Sequence, residues 1–411
     1  MIRVAEMFAG VGGFRVGLEG YGKPGDAMYM PPAGDFRTVW ANQWEPPGTE
    51  GKQFAWRCYE SRFGAGSCVN RNIEDVLDDF EAGKCEIPDF DLLVGGSPCV
   101  DYSVAKPAPF AKGIEGKKGE LWWQIHRMLC LKKPKLVLLE NVDRLLKSPT
   151  AQRGRDFAIM LSCLAQLGYS AEWRVVNAAE YGMPQRRRRV YIVARLIDDS
   201  EWKLNPPSVI QSAFPAVSDG PIANFMVPFD PYETSRAFGG DKKSPFGNSG
   251  CMLRGMVTTC NTKPDYDGIH RTIRDVLVTD SEVPGQFFIS PESLERWEYL
   301  KGAKKEPRKA KNGFEYVYSE GPVAFPDDLD KPSRTILTSE GGSGPSRMKH
   351  VVRGDSGRLR RLVPDELDAL QCFPKGWTEG MSDNRRAFCM GNALVTEIPH
   401  RIGVELAKFE S

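Results

Sequence analysis

A cysteine and a glutamate, each at the end of an apolar run, are the residues of this chain best placed to do covalent and acid chemistry. In DLLVGGSPCVDYS, residues 91–103, the run Leu92, Leu93, Val94 breaks into Gly95-Gly96, a rigid Pro98 and then Cys99. This reads as a buried strand ending in a tight loop with a thiol at its tip. The loops beyond the carboxyl ends of parallel strands are where α/β folds place their chemistry, which makes Cys99 a candidate nucleophile. A small packed hydrophobe beside a turn is the other reading of a lone Pro-Cys. In KLVLLENV, residues 135–142, a second buried strand ends in Glu140-Asn141. A carboxylate there is costly unless it is used or paired. On a shared carboxyl edge the two would form a candidate nucleophile and a candidate acid in one crevice.

The elements that must position this pair follow from the flanking patterns. Residues 3–8, RVAEMF, are a short strand, followed by a Gly10-x-Gly12-Gly13 turn and helical spacing at Phe14, Val16, Gly17 and Leu18. Strand, glycine turn and helix make a nucleotide-type cradle. A packed βα corner fits equally, and the spacing differs from GxGxxG. A second strand spans Thr38 to Ala41, with Asn42, Gln43, Trp44 and Glu45 at its end, where a polar side chain can bond a ribose hydroxyl. Asn72 beside Ile73 could bracket an adenine, polar at its edge and apolar on its face. Ordinary strand-end loops account for each of these taken singly.

Residues 104–119 are rich in Gly, Pro and Lys and read as a mobile surface loop. Beyond it, ELWWQIHRMLCLKKP is a helix stopped at Pro134, and DFAIMLSCLAQLGY an amphipathic helix. Two strands then surround a turn at Gly182 and Pro184. The run Arg186 to Arg189 leads into the apolar strand VYIVA. If the strand extends back through the run, alternation sends Arg187 and Arg189 to one face and Arg186 and Arg188 to the other. A solvated basic edge is the alternative.

From about residue 197 the texture becomes Pro- and Gly-rich with short, uneven apolar clusters, the mark of a separate, irregular domain. The basic stretch Lys301 to Lys311 reads either as a solvated loop or as phosphate contacts. RTILTSEGG and the Pro-started helix in RRLVPDELDALQCF restore order, and a Gly-Asn turn at 391–392 opens a last amphipathic helix that returns to the first domain. The chain has 411 residues, room for two domains of roughly 100–200 residues each. Its net charge of +1 announces no global polyanion partner, so nucleic acid would be met by local patches. Ten cysteines without a CxxC pair, and four histidines, form no zinc framework and suit a reducing, intracellular setting with no metal. With no signal peptide and no apolar run of ~18 residues, a soluble cytoplasmic protein is expected.

Taken in order, FAGVGGF, SPCVDYS, GELWW, ENV, QRRRR, RRLVPDE and GNALV resemble the DNA (cytosine-5)-methyltransferase family. The resemblance covers residues 1–197 and about 333–411, while the middle matches only in position. It implies a Rossmann-like α/β domain dependent on S-adenosylmethionine over 1–196 and a smaller, irregular target-recognition domain over 197–332. A hinge with the remainder of the small domain would follow over 333–387, and a returning C-terminal helix over 388–411.

It also implies Cys99 as the nucleophile at cytosine carbon 6 and Glu140 as the acid at ring nitrogen 3, with Arg187 and Arg189 holding the base and the groups around it. For S-adenosylmethionine, leaving as S-adenosylhomocysteine, the pattern carries over to Phe8, Gly10, Gly12, Gly13, Trp44, Asn72, Ile73, Pro98, Leu121, Asn392 and Ala393. Two positions depart from it. Gln43 stands where the family often has a ribose-binding glutamate, and Val100 where it commonly has a DNA-contacting glutamine. Ser103, Gln185, Lys304, Lys305, Arg308 and Lys309 are the implied DNA contacts. A monomeric modification enzyme of a bacterial restriction-modification system, sharing its site with a cognate endonuclease, is the expected role. A tRNA-methylating relative and an inactive DNA-binding regulator are the alternatives.

Overall fold

The computed structural model describes residues 1–45, 52–96, 120–197, 208–237, 243–309 and 313–408. The chain divides into two compact units: Met1–Tyr181, Arg187–Gly268 and Leu394–Ser411 make the larger, Gly182–Arg186 and Ile269–Ala393 the smaller. The division departs from the expected boundary at 197, because the stretch to Gly268 continues the architecture before it.

In the larger unit the order is β1 (Ile2–Met7), α1 (Gly13–Glu19), β2 (Phe36–Asn42), α2 (Phe54–Phe63), α3 (Ile73–Glu81), β3 (Leu92–Gly96), α4 (Glu120–Lys132) and β4 (Leu136–Val142). Then come α5 (Arg155–Gln166), β5 (Tyr169–Asn177), β6 (Arg188–Leu196), α6 (Val209–Ala213), β7 (Ala216–Ser218), β8 (Ala223–Met226), α7 (Pro231–Ala237), β9 (Ser249–Leu253), β10 (Met256–Cys260) and β11 (Thr262–Pro264). Among the described residues nine strands form one sheet in the order β2-β1-β3-β4-β6-β5-β9-β10-β8. The expected mostly parallel sheet holds from β2 to β4. From β6 onward every pairing is antiparallel. The connections explain the change. The helix-bearing crossovers before β4 return the chain in the same direction, whereas the short link from β5 to β6 and the Arg254-Gly255 turn between β9 and β10, both residues at positive φ, reverse it.

Alternation assigns the two faces of the sheet. Ala5, Met7, Leu93, Val137, Leu139 and Ile192 join Ile73 and Val76 of α3, Trp122 and Trp123 of α4, and Phe157 and Leu161 of α5 in one continuous core. The intervening Val4, Leu92, Val94 and Leu138 are buried as well. Coverage of both faces is why these strands read as unbroken apolar runs.

The smaller unit holds α8 (Pro291–Lys301), the ribbon β12 (Lys304–Lys309) and β13 (Glu315–Glu320), the pair β14 (Val351–Arg353) and β15 (Leu359–Arg361), α9 (Pro364–Leu370) and α10 (Asp383–Asn392). Its interior contains a charge cluster: the fully buried Arg360 pairs with Asp280 at 2.7 Å and, bidentately, with Glu366 at 2.8 and 3.0 Å. Glu366 also accepts from the Val363 N–H at 2.8 Å, which closes the start of α9 behind its leading Pro364. Residues 334–341, expected to be ordered, form neither helix nor strand.

The Gly391-Asn392 pair ends α10, with Ala393 as its cap, rather than opening the last helix. That helix, α11 (Glu397–Ala407), starts after it and lies against α1 as expected. Two glycines make the contact possible: a Cβ on Gly17 would fall 2.7 Å from Pro399 Cγ, and one on Gly403 2.6 Å from Leu18 Cδ2. Among the described residues no helix is long and apolar enough to cross a membrane.

Candidate active site

The parallel register sets residues of four strands side by side at one edge of the sheet. Asn42 pairs with Met7, Met7 with Gly95, and Gly96 with Glu140. Because β6 runs the other way, its first residues reach the same edge, where Arg189 stands opposite Val142 and Tyr191 opposite Glu140. Glu140, Arg189 and Tyr191 therefore share a face.

Their contacts form a compact charged group. Arg189 Nε lies 3.0 Å from Glu140 Oε1, both side chains largely buried. Arg187 is 2% exposed while Arg186 and Arg188 face solvent, the alternation anticipated for this run. Burial, and then the neighbouring Arg189 charge, push the Arg187 pKa down to about 9 against the opposing pull of Glu140. At neutral pH it still carries its proton. Gly96 approaches closely, since a Cβ there would lie 3.1 Å from Glu140 Oε2. Any larger residue would press on the carboxylate. Tyr191 is fully buried beside the group, and desolvation followed by the Glu140 charge raises its pKa well above the ordinary tyrosine value. Sequence reasoning missed Tyr191, although its place two residues after Arg189 on a strand was a usable signal.

Pro98, Cys99, Val100, Ser103 and the 104–119 loop lie outside the described residues. Cys99 follows Gly96, the β3 residue facing Glu140, by three positions in the chain.

The glycine turn after β1 is a strained, open corner. Phe8, Gly10 and Gly12 all have positive φ, at 56°, 56° and 87°, and a Cβ on Gly10 would meet no atom within 4 Å. The Gly10 N–H donates to Gln43 Oε1 at 2.8 Å, so the departure at 43 is engaged in holding the turn. Glu45 is engaged too: its carboxylate accepts from the Ala55 N–H at 3.0 Å and caps α2. Trp44 is half-buried. Asn72 caps α3 by accepting from Glu74 N, Leu121 is half-buried in the first turn of α4, and Gly13 begins α1. Ile73 is only 3% exposed and belongs to the core, so packing takes most of the face expected to meet an adenine. The open backbone at Gly10 and the polar Gln43 beside it suit the close approach of a nucleotide-type ligand such as S-adenosylmethionine.

Beneath the turn is a second acid that the sequence reading passed over. Glu6 is fully buried in β1 and accepts from the Tyr59 hydroxyl at 3.0 Å. Desolvation raises its pKa to about 7, opposed by the Tyr59 hydrogen bond, Arg15 and the backbone N–H groups of Arg15 and Phe14. A lone acid inside the apolar strand VAEMF was its signal in the sequence.

In the smaller unit, Gln185 differs from its expected place on a DNA-facing surface. It is fully buried, with its amide donating to Leu370 O and accepting from Ile336 N at 3.1 and 3.0 Å, as a buried amide must. Asn392 and Ala393 sit at the end of α10. Lys304, Lys305, Arg308 and Lys309 lie on β12, an ordered strand and not a loop, and three of them are paired, with Glu320, Glu306 and Glu315.

A parallel-edged α/β sheet with a glycine turn, a carboxylate paired with Arg189 and the buried Arg187 at one edge defines a nucleotide-handling α/β enzyme. The family described as C-5 cytosine-specific DNA methylase matches residues 2–408. The type II methyltransferase M.Sau3AI of Staphylococcus aureus is 42% identical over 423 aligned residues, taking in all of this chain and 96% of that protein. The type II methyltransferase M.NgoBI of Neisseria gonorrhoeae is 35% identical over 193 residues, 47% of this chain and 50% of that one. In fold, a mutant DNMT2 of Spodoptera frugiperda superposes with a TM-score of 0.59 at 14% identity, covering 99% of this chain and 100% of that one. The chain belongs to the C-5 cytosine-specific DNA methylase family, the S-adenosylmethionine-dependent DNA (cytosine-5)-methyltransferases.

Proposed function

We propose that the chain methylates carbon 5 of a flipped-out cytosine at one duplex DNA sequence through a transient bond from Cys99, as the modification enzyme of a bacterial restriction-modification system. The observation that carries this reading is the Glu140–Arg189–Arg187 group at the sheet edge beside Gly96, three residues before Cys99.

The chemistry assigns each group a task. Carbon 5 of cytosine is a poor nucleophile in the intact ring. The Cys99 thiolate adds to carbon 6 while the Glu140 carboxyl donates a proton or hydrogen bond to ring nitrogen 3, and carbon 5 becomes enamine-like. Arg189 fixes the Glu140 carboxylate, and Arg187 keeps positive charge beside the base. S-adenosylmethionine, when bound, supplies the electrophilic methyl. After transfer a water molecule takes the carbon 5 proton, the carbon 6–sulfur bond breaks to release Cys99 as thiolate, the nitrogen 3 proton returns to Glu140, and the ring regains its aromaticity. A base inside the duplex cannot be reached from both faces, so flipping is required. Phe8, Gly10, Gly12, Gly13, Gln43, Trp44, Asn72, Pro98 and Leu121 would hold the donor. A DNA contact by Ser103 completes the reading.

Target selection is assigned to residues 197–332, because catalytic residues serving any cytosine cannot choose one site. The protein would work as a cytoplasmic monomer, with a cognate endonuclease cutting the same sequence. The decisive experiment uses a duplex with 5-fluorocytosine at the methylated position, where fluorine cannot leave as the proton does. Wild type should form a denaturation-resistant adduct and Cys99→Ala should not. Absence of an adduct at a site the enzyme normally methylates would refute attack by Cys99.

A further inference from the structure

We propose that the ribbon β12–β13 enters the major groove of the duplex substrate by its outer face, with Lys305, Val317 and Ser319 against base edges. The inference rests on the DNA-modifying function above and names the element that meets the DNA.

The ribbon is sorted by alternation into two unlike faces. Lys304 pairs with Glu320, Glu306 with Tyr318 and Arg308 with Tyr316 in register, and these six share the inner face. There the acids are occupied. Glu306 accepts from the Tyr299 hydroxyl of α8 at 2.9 Å and lies 3.2 Å from Arg308. Glu320 lies 3.5 Å from both Lys304 and Arg347. The outer face consists of Lys305, Pro307 and Lys309 opposite Ser319, Val317 and Glu315. Its single acid is matched by Lys309 at 3.5 Å, which leaves Lys305 with no ion pair among the described residues. The ribbon thus turns two of its three acids inward and shows an uncompensated cation outward, the sorting that suits a polyanion.

Apolar exposure points the same way. Val317 of the outer face is 58% exposed, and Phe314, just before β13, is 66% exposed. Large apolar side chains left exposed side by side on one strand commonly mark a contact surface. Cations are laid over aromatic rings along the inner face: Lys304 over Tyr299 at 4.8 Å and Arg308 over Tyr318 at 3.6 Å. These contacts, with the Tyr299–Glu306 hydrogen bond, tie the inner face to α8 and leave the outer face to a partner. A two-stranded ribbon fits the width of the major groove, where lysine reads guanine, serine reads several edges and an apolar side chain meets the thymine methyl.

The test uses the full-length enzyme carrying Lys305→Ala, Val317→Ala or both. The KM for target duplex should rise about ten-fold or more in the double variant, the scale of one lost base-pair reading. Turnover at saturating DNA and the dissociation constant for S-adenosylmethionine should stay at wild-type values. Bisulfite sequencing of a library randomised around the target should show a broadened set of methylated sequences. Lys305→Ala alone should relax the methylated set at one base position, as loss of a base-edge contact does. An unchanged KM together with an unchanged sequence set would overturn the proposal, as would variants that alter only the sedimentation behaviour, which would assign this face to a second copy of the chain. Should a variant fold poorly, wild-type enzyme photocrosslinked to 5-iodouracil-substituted target decides. Adducts on peptides of β12–β13 support groove entry, and adducts only elsewhere refute it. A wild type that methylates no duplex at all would instead defeat the function proposed above.

Discussion

Arginine, glutamate and tyrosine meet twice in this molecule, and the two meetings differ in burial. At the sheet edge, Arg187, Arg189, Glu140 and Tyr191 stand within the larger unit, screened from water. On the ribbon of the smaller unit, Arg308, Glu306, Tyr318 and Tyr316 are open to solvent on much of their surface. At the edge, desolvation shifts Arg187 and Tyr191 far from their ordinary pKa values. On the ribbon, the leading cause of the Glu306 and Arg308 shifts is a hydrogen bond to a neighbour, and solvent damps the remainder. The lesson is that residue type does not set the role. A dry cluster can hold a proton-transferring group in one state, and a wet cluster is suited to meeting a charged partner.

The comparison can be broken first at Glu140. Glu140→Gln should lower turnover about 10²–10⁴-fold, the usual contribution of general acid assistance. Single-turnover methylation checks it, with S-adenosylmethionine affinity as the control for folding. A loss below ten-fold would mean that the edge cluster has no acid task.

Burial within the smaller unit gives the next largest effect. Arg360→Met leaves Asp280 and Glu366 as buried carboxylates without their cation and should cost about 3–5 kcal/mol in denaturant unfolding.

The Glu6 carboxyl sharpens the comparison through pH. Its folded pKa of about 7 lies above its ordinary 4.5, so the folded state keeps a proton that the unfolded chain releases. Its contribution is complete below pH 4.5 and lost as pH rises toward 7, on the order of 3 kcal/mol at most. Chemical denaturation across that window should show a steeper fall for wild type than for Glu6→Gln. Parallel curves would dismiss Glu6 as the titrating group.

At the wet extreme, Lys309→Ala removes an exposed pair with Glu315 and should leave the melting temperature within experimental scatter. A clear drop would show that the ribbon is held by its charges and not merely decorated with them.

Much of the site was legible in the order of residues. Apolar runs broken by glycine or by a carboxylate marked β1, β3 and β4, and their ends carry Gly10, Gly96 and Glu140. Alternation in QRRRRV separated Arg187 and Arg189 from Arg186 and Arg188, because side-chain direction along a strand is a local property, and only the fold decided that Arg187 turns inward. Seven motifs in series identified the family. Other features depended on which segments become neighbours. The antiparallel half of the sheet, and its extension by β9, β10 and β8, were not read, since periodicity tells which face a residue takes but not which strand pairs with it or in which direction. Gln43 bonded to Gly10, Glu45 spent on the start of α2 and Gln185 sealed between Leu370 and Ile336 are long-range hydrogen bonds that no local pattern records. The cations of β12 were visible as charges, and only folding decided which of them would be neutralised across the ribbon and which left exposed. The sequence by itself determined the chemical groups and the strand ends that carry them. Tertiary pairing decided which groups are dry, which are paired and which are left to meet a partner, because burial and ion pairing are properties of neighbours brought together from distant parts of the chain.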